Sequence, residues 1–519
     1  MGEVVSIKEK VEARVKEVED KTGSGSGDGI DTDFVLRCLG RNELGDGELF
    51  KKLYRDRYVF NKSMDGWMEW LGHIWAVDKK NARTLAAVEG VAEIYGSEAS
   101  KLTEKLREVG AGSPEEAYLK ARRDALLKRV SALRARRRRK NCLHFASSTH
   151  NAIAIDGKEI DQKAWLFPCL NGVINLKTGE LEPGRPGDYL MKTSPVEWLG
   201  IDKECEIWEK SLLEIFSDNY KLVAFLQRVC GAALVGEVLN SIMVVMTGRG
   251  RNGKSLIVDV MSDIMGDLAQ PIRSEMLLDQ YRIPSASSPT PDIMKLRGLR
   301  MAFASETDDG CKISPSKVKW LTGKDKLTGR GAHETYEVTF RPSHTLFLLT
   351  NHKPHAPAED FAFWERMVLF PFEISFVDRD PDQPHERRAD VHLGQKLEKE
   401  YSGILAWMVR GCLDWQKEGL APPTAVKEAV KEYRRDEDSV ADFIDERCVV
   451  GLSYKVTAAA VYADFEEWWK VNVSNRVPKK KRFGTWFGKR FERVKRGTIW
   501  YEGVGLLAEQ EQIRDMVKD

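Results

Sequence analysis

The middle of the chain alternates two hydrophobic rhythms. Residues 206–235 carry apolar positions at helical spacing, and Ser241 to Thr247 (SIMVVMT) then forms a short apolar run bounded by glycine, as a buried parallel strand would. Further short runs follow at Met301–Ala304, Thr345–Leu349 and Met367–Phe370, with helical stretches between them. Strands alternating with helices predict a doubly wound α/β core. After about residue 386 the pattern turns helical again.

The flanks read differently. Residues 1–22 are highly charged, with Ile7, Val11, Val15 and Val18 spaced as the narrow stripe of a short helix, and Gly23 to Gly29 (GSGSGDG) reads as a flexible linker. Folded structure is expected from about Ile30. Residues 30–195 mix helical and extended patterns and include Trp67, Trp70 and Trp75, expected in core packing rather than base stacking. Within them, Lys120 to Lys140 (KARRDALLKRVSALRARRRRK) opposes its positive charge only with Asp124. Such density suits a phosphate partner, unless acids on a neighbouring surface absorb it.

The C-terminal segment predicts a helix around Ala458–Lys470, a basic approach at Lys479–Arg482, a helix near Phe483–Val494 and a strand pair from Thr498 to Leu506. Helices followed by a β-wing resemble a winged-helix module, and basic residues interleaved with Trp486, Phe487 and Trp500 suit duplex contact. The expected organisation is therefore a leader and linker (1–29), an N-terminal domain (30–195), a helical segment (196–240), an α/β core (241–385), a second helical segment (386–437) and a winged-helix-like domain (438–519).

Composition narrows the function classes. A chain of 519 residues is too long for one core. Its 42% hydrophobic and 31% charged residues are those of a globular protein, and a net charge of +1 offers no global pull on nucleic acid, so any such affinity must come from local clusters. The eight cysteines form no C-x-x-C pair and read as reduced thiols of a cytoplasmic protein, in a bacterial or other host cell. No apolar run approaches the roughly 20 residues of a bilayer span, which argues against a membrane function.

Chemistry concentrates after the first apolar strand. There G-R-G-R-N-G-K-S, residues Gly248, Arg249, Gly250, Arg251, Asn252, Gly253, Lys254 and Ser255, fills every fixed place of the G-x-x-x-x-G-K-[ST] phosphate loop. Backbone N–H groups would cradle the phosphates, Lys254 would neutralise their β and γ charge, and the Ser255 hydroxyl would ligate Mg²⁺. A helix expected at Ser255–Met265 aims its N-terminal dipole at the same anion. The loop by itself says nucleotide binding and no more.

Downstream residues suggest hydrolysis. RMAFASETDDG delivers Glu306 to the end of an apolar strand, where it could polarise water and help hold Mg²⁺ through its hydration shell, with Asp308 and Asp309 as competitors. TLFLLTNHKP places the Asn351 amide at another strand end, and DFAFWERMVLFPF presents Arg366 ahead of the next strand, where ring ATPases keep an arginine for a neighbour's nucleotide. His344, His352 and His355 lack metal-ligand spacing.

Taken together, MTGRGRNGKS, LRGLRMAFASE, LTGKDKLTGRGAHE, LLTNHKP and D-x-A-x-W-x-R-x-x-x-x-P-F resemble, in order and spacing, the superfamily-3 helicase core of phage and plasmid primase-helicases. The stretch Trp165–Leu190 resembles the region preceding the helicase in poxvirus-type proteins. The resemblance implies an AAA+-like P-loop fold and an ATP- and Mg²⁺-dependent homo-hexameric ring on single-stranded or forked DNA, with travel 3′ to 5′. It also implies a channel hairpin, for which it nominates Arg330 and His333, with Lys324 and Lys326 as secondary candidates. Two features depart from the pattern: Ser305 stands where many members carry a second acid before Glu306, and no paired aspartates of a primase site are found, so a separate primase or polymerase is expected to supply that activity. Two other readings remain open. One is a DNA-binding ATPase acting as replication initiator or packaging motor; the other is a GTPase, for which Thr322–Asp325 (TGKD) lacks the usual Asn.

Overall fold

The short apolar runs are strands because they are too short for a helix that would cross a core, and rich in Val, Met, Leu and Phe. In a computed structural model, which describes residues 30–279, 290–305, 311–331, 337–473 and 477–507, they assemble into one five-stranded sheet. Its members are β1 (Met243–Thr247), β2 (Ala269–Pro271), β3 (Met301–Ser305), β4 (Thr345–Thr350) and β5 (Met367–Pro371). All pairs are parallel and the spatial order is β5-β1-β4-β3-β2. β1 thus lies between β4 and β5, with Thr247 paired to Thr350 on one side and Pro371 on the other.

Alternation along these strands builds two cores. Val244, Met246, Phe347, Leu349 and Phe370 face the helices Glu206–Ile215, Tyr220–Ala233, Lys254–Met265 and Tyr401–Glu418. Their neighbours Met243, Val245, Leu346, Leu348 and Leu369 face Leu277, Leu296, Val318, Trp364 and Tyr433 on the other side. Each such side chain contributes about 1.5–3 kcal/mol by leaving water. A charge at Val245 would therefore disrupt the sheet at its centre.

The N-terminal part has its own core. Helices Thr32–Gly40, Asn42–Tyr54, Ala82–Glu108, Pro114–Leu133 and Arg136–Ser148 pack with a four-stranded sheet of Tyr58–Asn61, Gly66–Trp70, Trp75–Val77 and Ala154–Ile155. Trp67 and Trp75 are buried, which uses them in packing. The boundary expected at 195 is crossed by the core itself. Phe167, Ile174 and Trp198 share one hydrophobic cluster with β1 and the Lys254 helix, so the three-stranded meander beginning at Leu166 belongs with the sheet.

After the helix Thr424–Asp436 comes a small unit of helix Ser439–Arg447, strand Cys448–Thr457, helices Ala458–Asn472 and Lys480–Phe487, and strands Glu492–Arg496 and Thr498–Leu506. The Thr498 strand is central, flanked by the other two. Two expectations are corrected here. The second helix starts at Lys480 and stops at Phe487, because the residues from Glu492 pair in a ladder with the Thr498 strand. Thr498–Leu506 is one strand, reversed from its partner at Gly497, whose φ of 73° few other residues would adopt. Phe465, Phe483, Phe487 and Tyr501 fill the core, while Trp486 is half-buried against the Arg482 guanidinium.

Candidate nucleotide site

Parallel strands in register bring their C-terminal ends to one edge, so sequence-distant residues converge beyond Thr247, Thr350 and Pro371. The loop after β1 turns there into the helix Lys254–Met265, which begins one residue earlier than expected. Two glycines make the turn possible. At Gly248 a Cβ would stand 1.9 Å from Asn252 Nδ2 and 2.5 Å from the Phe372 carbonyl, and at Gly253 φ is 84° and a Cβ would strike Ile215.

Lys254 and Asn252 are the buried members of the loop, 6% and 3% exposed. The Lys254 ammonium spends its three donors on Gly248 O at 2.9 Å, Asn252 Oδ1 at 2.8 Å and Asn351 Oδ1 at 3.0 Å. None of these acceptors carries a charge. Burial consequently pushes the ammonium down to about 8, so the folded chain holds a cation in need of an anion. Asn252 also donates to the Phe372 carbonyl at 3.3 Å, which anchors the loop to the segment after β5. Arg251 reinforces this: its backbone oxygen accepts from Phe376 N at 2.7 Å, and its exposed guanidinium meets Asp378 at 3.0 Å.

Beside the loop opens a cavity of about 370 Å³ lined by Thr247, Gly248, Arg249, Phe372, Glu373, Ser375 and His385. Gly250 and Ser255 complete the loop, the latter exposed on the first helical turn. A polyphosphate fits this setting on three counts: the uncompensated ammonium, the helix N-terminus and the adjoining cavity. Ser255, exposed on the first turn of the same helix, could hold a divalent ion beside it.

The structure brings Lys254, Asn252 and Asn351 together, but it sets Arg366 apart. Arg366 precedes β5, and its carbonyl accepts from Met243 N at the start of β1. The length of β1 therefore separates it from the loop of its own chain, roughly 16 Å at about 3.3 Å per residue. Arg366 is half-buried, its guanidinium donates to the Ala362 carbonyl, and its Nε has no hydrogen-bond partner among the described residues. Ser305 ends β3 in register with Leu349, while Glu306, Asp308 and Asp309 lie outside the described residues. Strands Leu327–Gly329 and Val338–Phe340 pair antiparallel and flank the expected hairpin. Arg330 is bound through its backbone to Thr290, Lys324 and Lys326 are exposed, and His333 lies outside the described residues. His344 is buried and held well below its usual range, at about 4, by loss of water, whereas His355 meets Glu437 at 3.2 Å.

Sequence reasoning did not single out Phe372, Ser375, His385 or Asp378. The Pro-Phe pair closing the Arg366 motif was the available signal, since it marks where β5 ends beside the loop.

Residues 47–217 match the family model described as D5 N terminal like. A candidate helicase of Acanthamoeba polyphaga mimivirus is 24% identical over 375 residues, covering 70% of this chain and 39% of the relative. The chain is similar to viral helicase candidates. Another, from Invertebrate iridescent virus 3, is 24% identical across 86% of this chain and 52% of its own length. A candidate primase of African swine fever virus is 22% identical over 51% of this chain and 29% of the relative. This chain thus spans between 39% and 52% of the first three curated relatives it matches. Among solved structures, the apo C-terminal region of NrS-1 covers 60% of this chain with TM-score 0.35 and 13% identity. No described helix is long and apolar enough to cross a membrane.

Proposed function

We propose that the chain is an ATP-driven DNA helicase motor of the superfamily-3 kind, assembling as a homo-hexameric ring and drawing one strand through its centre. The observation that carries this reading is the clasp of Lys254 by Gly248, Asn252 and Asn351 where β1 and β4 end. Likeness to viral helicase and primase candidates supports DNA as the track.

The chemistry follows from the clasp. A β–γ phosphate entering the loop offers Lys254 charged oxygens in place of a neutral amide, so the ammonium can exchange the Asn351 oxygen for phosphate. Asn351 is then released to orient water or sense the terminal phosphate. Glu306 is the candidate to polarise that water. Mg²⁺, when bound, supplies charge neutralisation across the phosphates, and Ser255 would hold it. Arg366 fits a role toward a neighbouring subunit, because it sits at the far end of the sheet from its own loop. The helix–strand–helix–helix–hairpin arrangement of residues 439–506 supports a winged-helix reading, with Lys480, Lys481 and Arg493 available to duplex DNA.

Unwinding of a forked DNA tests the proposal. ATP and Mg²⁺ should drive strand separation, and excess GTP should compete poorly. ATP hydrolysis stimulated by DNA without separation would instead indicate an initiator or packaging motor.

A further inference from the structure

From Arg129 to Lys140 the basic run beginning at Lys120 sorts into two chemically distinct sets, and Arg123 before it is also paired. Asp46, wholly buried, accepts Arg129 at 2.6 Å and Arg138 at 2.8 Å. Glu89 takes Arg134 at 3.0 Å and also pairs with Arg139, and Arg123 lies against Asp124 at 2.7 Å. The Asp46 and Glu89 pairs hold separate segments to one another, while Arg123 is neutralised within its own helix. Arg136, Arg137 and Lys140 do not join them: all are exposed and enter none of the ion pairs among the described residues. Glu43, on the helix packed against this one, is engaged by Asn141 at 2.9 Å.

Helical geometry gathers the free set on one side. At about 100° per residue, Arg136, Lys140, His144 and Arg137 fall within an arc of roughly 100°. Cys142, Leu143 and Ala146 are buried on the remaining circumference. The helix also opens with four arginines, has no acid in its first turn and lacks a side-chain cap. Local stability disfavours that placement, since cations at a helix start oppose its dipole. An anion lying along the face would offset that repulsion and the one among the cations themselves.

We propose that this face of the helix Arg136–Ser148 docks the phosphate backbone of DNA through Arg136, Arg137 and Lys140, a contact separate from the hairpin and the C-terminal unit. It rests on the reading of the chain as a motor on DNA. Three basic side chains without interleaved apolar ones suit phosphates, whereas a lipid surface calls for exposed apolar residues as well. No large hydrophobic residue of this helix is exposed. Such contact is sequence-independent and positions the strand without reading bases.

The test uses the full chain, nucleotide-free, with labelled single-stranded and duplex oligonucleotides across a salt titration. Replacing Arg136, Arg137 and Lys140 together by Gln should weaken binding to at least one form by about 10-fold or more at low salt. The slope of log affinity against log salt should fall by about 2 for a single strand or about 3 for a duplex. A control removing equal charge, Lys79→Gln with Lys80→Gln and Lys203→Gln, should leave affinity and slope unchanged, and basal ATPase should survive in both. Unchanged DNA affinity in the first variant, or an equal loss in the control, overturns the proposal while leaving the motor reading intact. Loss of binding to anionic vesicles with no change for DNA also overturns it, in favour of a lipid surface. Failure of the wild-type chain to bind DNA in either form defeats both readings together.

Discussion

The two ends of the central sheet are built to opposite specifications. At the C-terminal edge, Lys254 has every donor engaged and its partners come from the same chain. At the N-terminal edge, Arg366 has a carbonyl for company and, among the described residues, an Nε with no partner and no acid paired with it. One end is nearly self-sufficient and waits only for an anion. The other holds a cation in reserve, at a distance that the glycine-rich loop of its own chain cannot use. The difference teaches that conformity to a motif does not reveal completeness: both residues sit in recognisable segments, yet only Lys254 has all its donors engaged by its own chain.

The sharpest way to break this comparison is at the clasp. Lys254→Ala removes the phosphate-neutralising ammonium and should reduce ATP turnover below detection, while circular dichroism and thermal melting stay close to wild type. Residual turnover near the wild-type rate would move the site elsewhere. At the opposite end, Arg366→Ala should lower hydrolysis by about 10³-fold or more with nucleotide binding retained. Mixed assemblies of the two variants decide whether the ends act across an interface: some intact sites form, and activity should exceed that of either variant alone. Co-assembly without recovered activity would return Arg366 to a structural role.

A subtler change converts the neutral clasp into a charged one. Asn351→Asp offers Lys254 a permanent carboxylate in place of the amide, so incoming phosphate must compete with it. Hydrolysis should fall about 10²-fold, chiefly through weaker nucleotide binding. Equal affinity for nucleotide in the two proteins would show that Asn351 leaves the ammonium free in solution.

How much of this was legible in sequence depends on the range of the interactions. Strand positions were plain, because the short apolar runs at Met243–Thr247 and Thr345–Thr350 are local patterns, and so was the loop, whose glycines answer to backbone geometry. Long-range pairing was not. Nothing local tells that β1 lies between β4 and β5, and so nothing local tells that Asn351 meets Lys254 while Arg366 stands at the opposite edge. The basic run shows the same limit, since only the fold reveals that Asp46 and Glu89 absorb half its arginines. The tail helix was overextended to Val494 because its alternating basic residues suit a helix surface as well as a hairpin edge.

The smallest expected effect is a pH dependence, and its sign follows from the clasp. In the free chain burial holds the Lys254 ammonium at about 8, below its usual value near 10.5. A bound polyphosphate favours the protonated form and raises that value, so binding above pH 8 must take up a proton. Nucleotide affinity should therefore be flat below about pH 7 and fall about 10-fold by pH 9, since one proton is lost per site. The nucleotide does not mimic this, because the terminal phosphate ionises near pH 6 in phosphate esters and only gains charge as pH rises. Unfolding does not mimic it either. Between about 8 and 10.5 the unfolded chain binds more protons at Lys254 than the folded one, so this group's contribution to stability rises with pH while affinity falls. Titration of a fluorescent nucleotide from pH 6.5 to 9.5 at fixed ionic strength would show the decline, and Lys254→Arg, whose guanidinium stays charged, should flatten it whatever its absolute affinity. A flat profile in the wild-type chain would mean that the ammonium keeps its ordinary basicity, and the contrast between a chain-completed edge and a waiting one would lose its electrostatic basis.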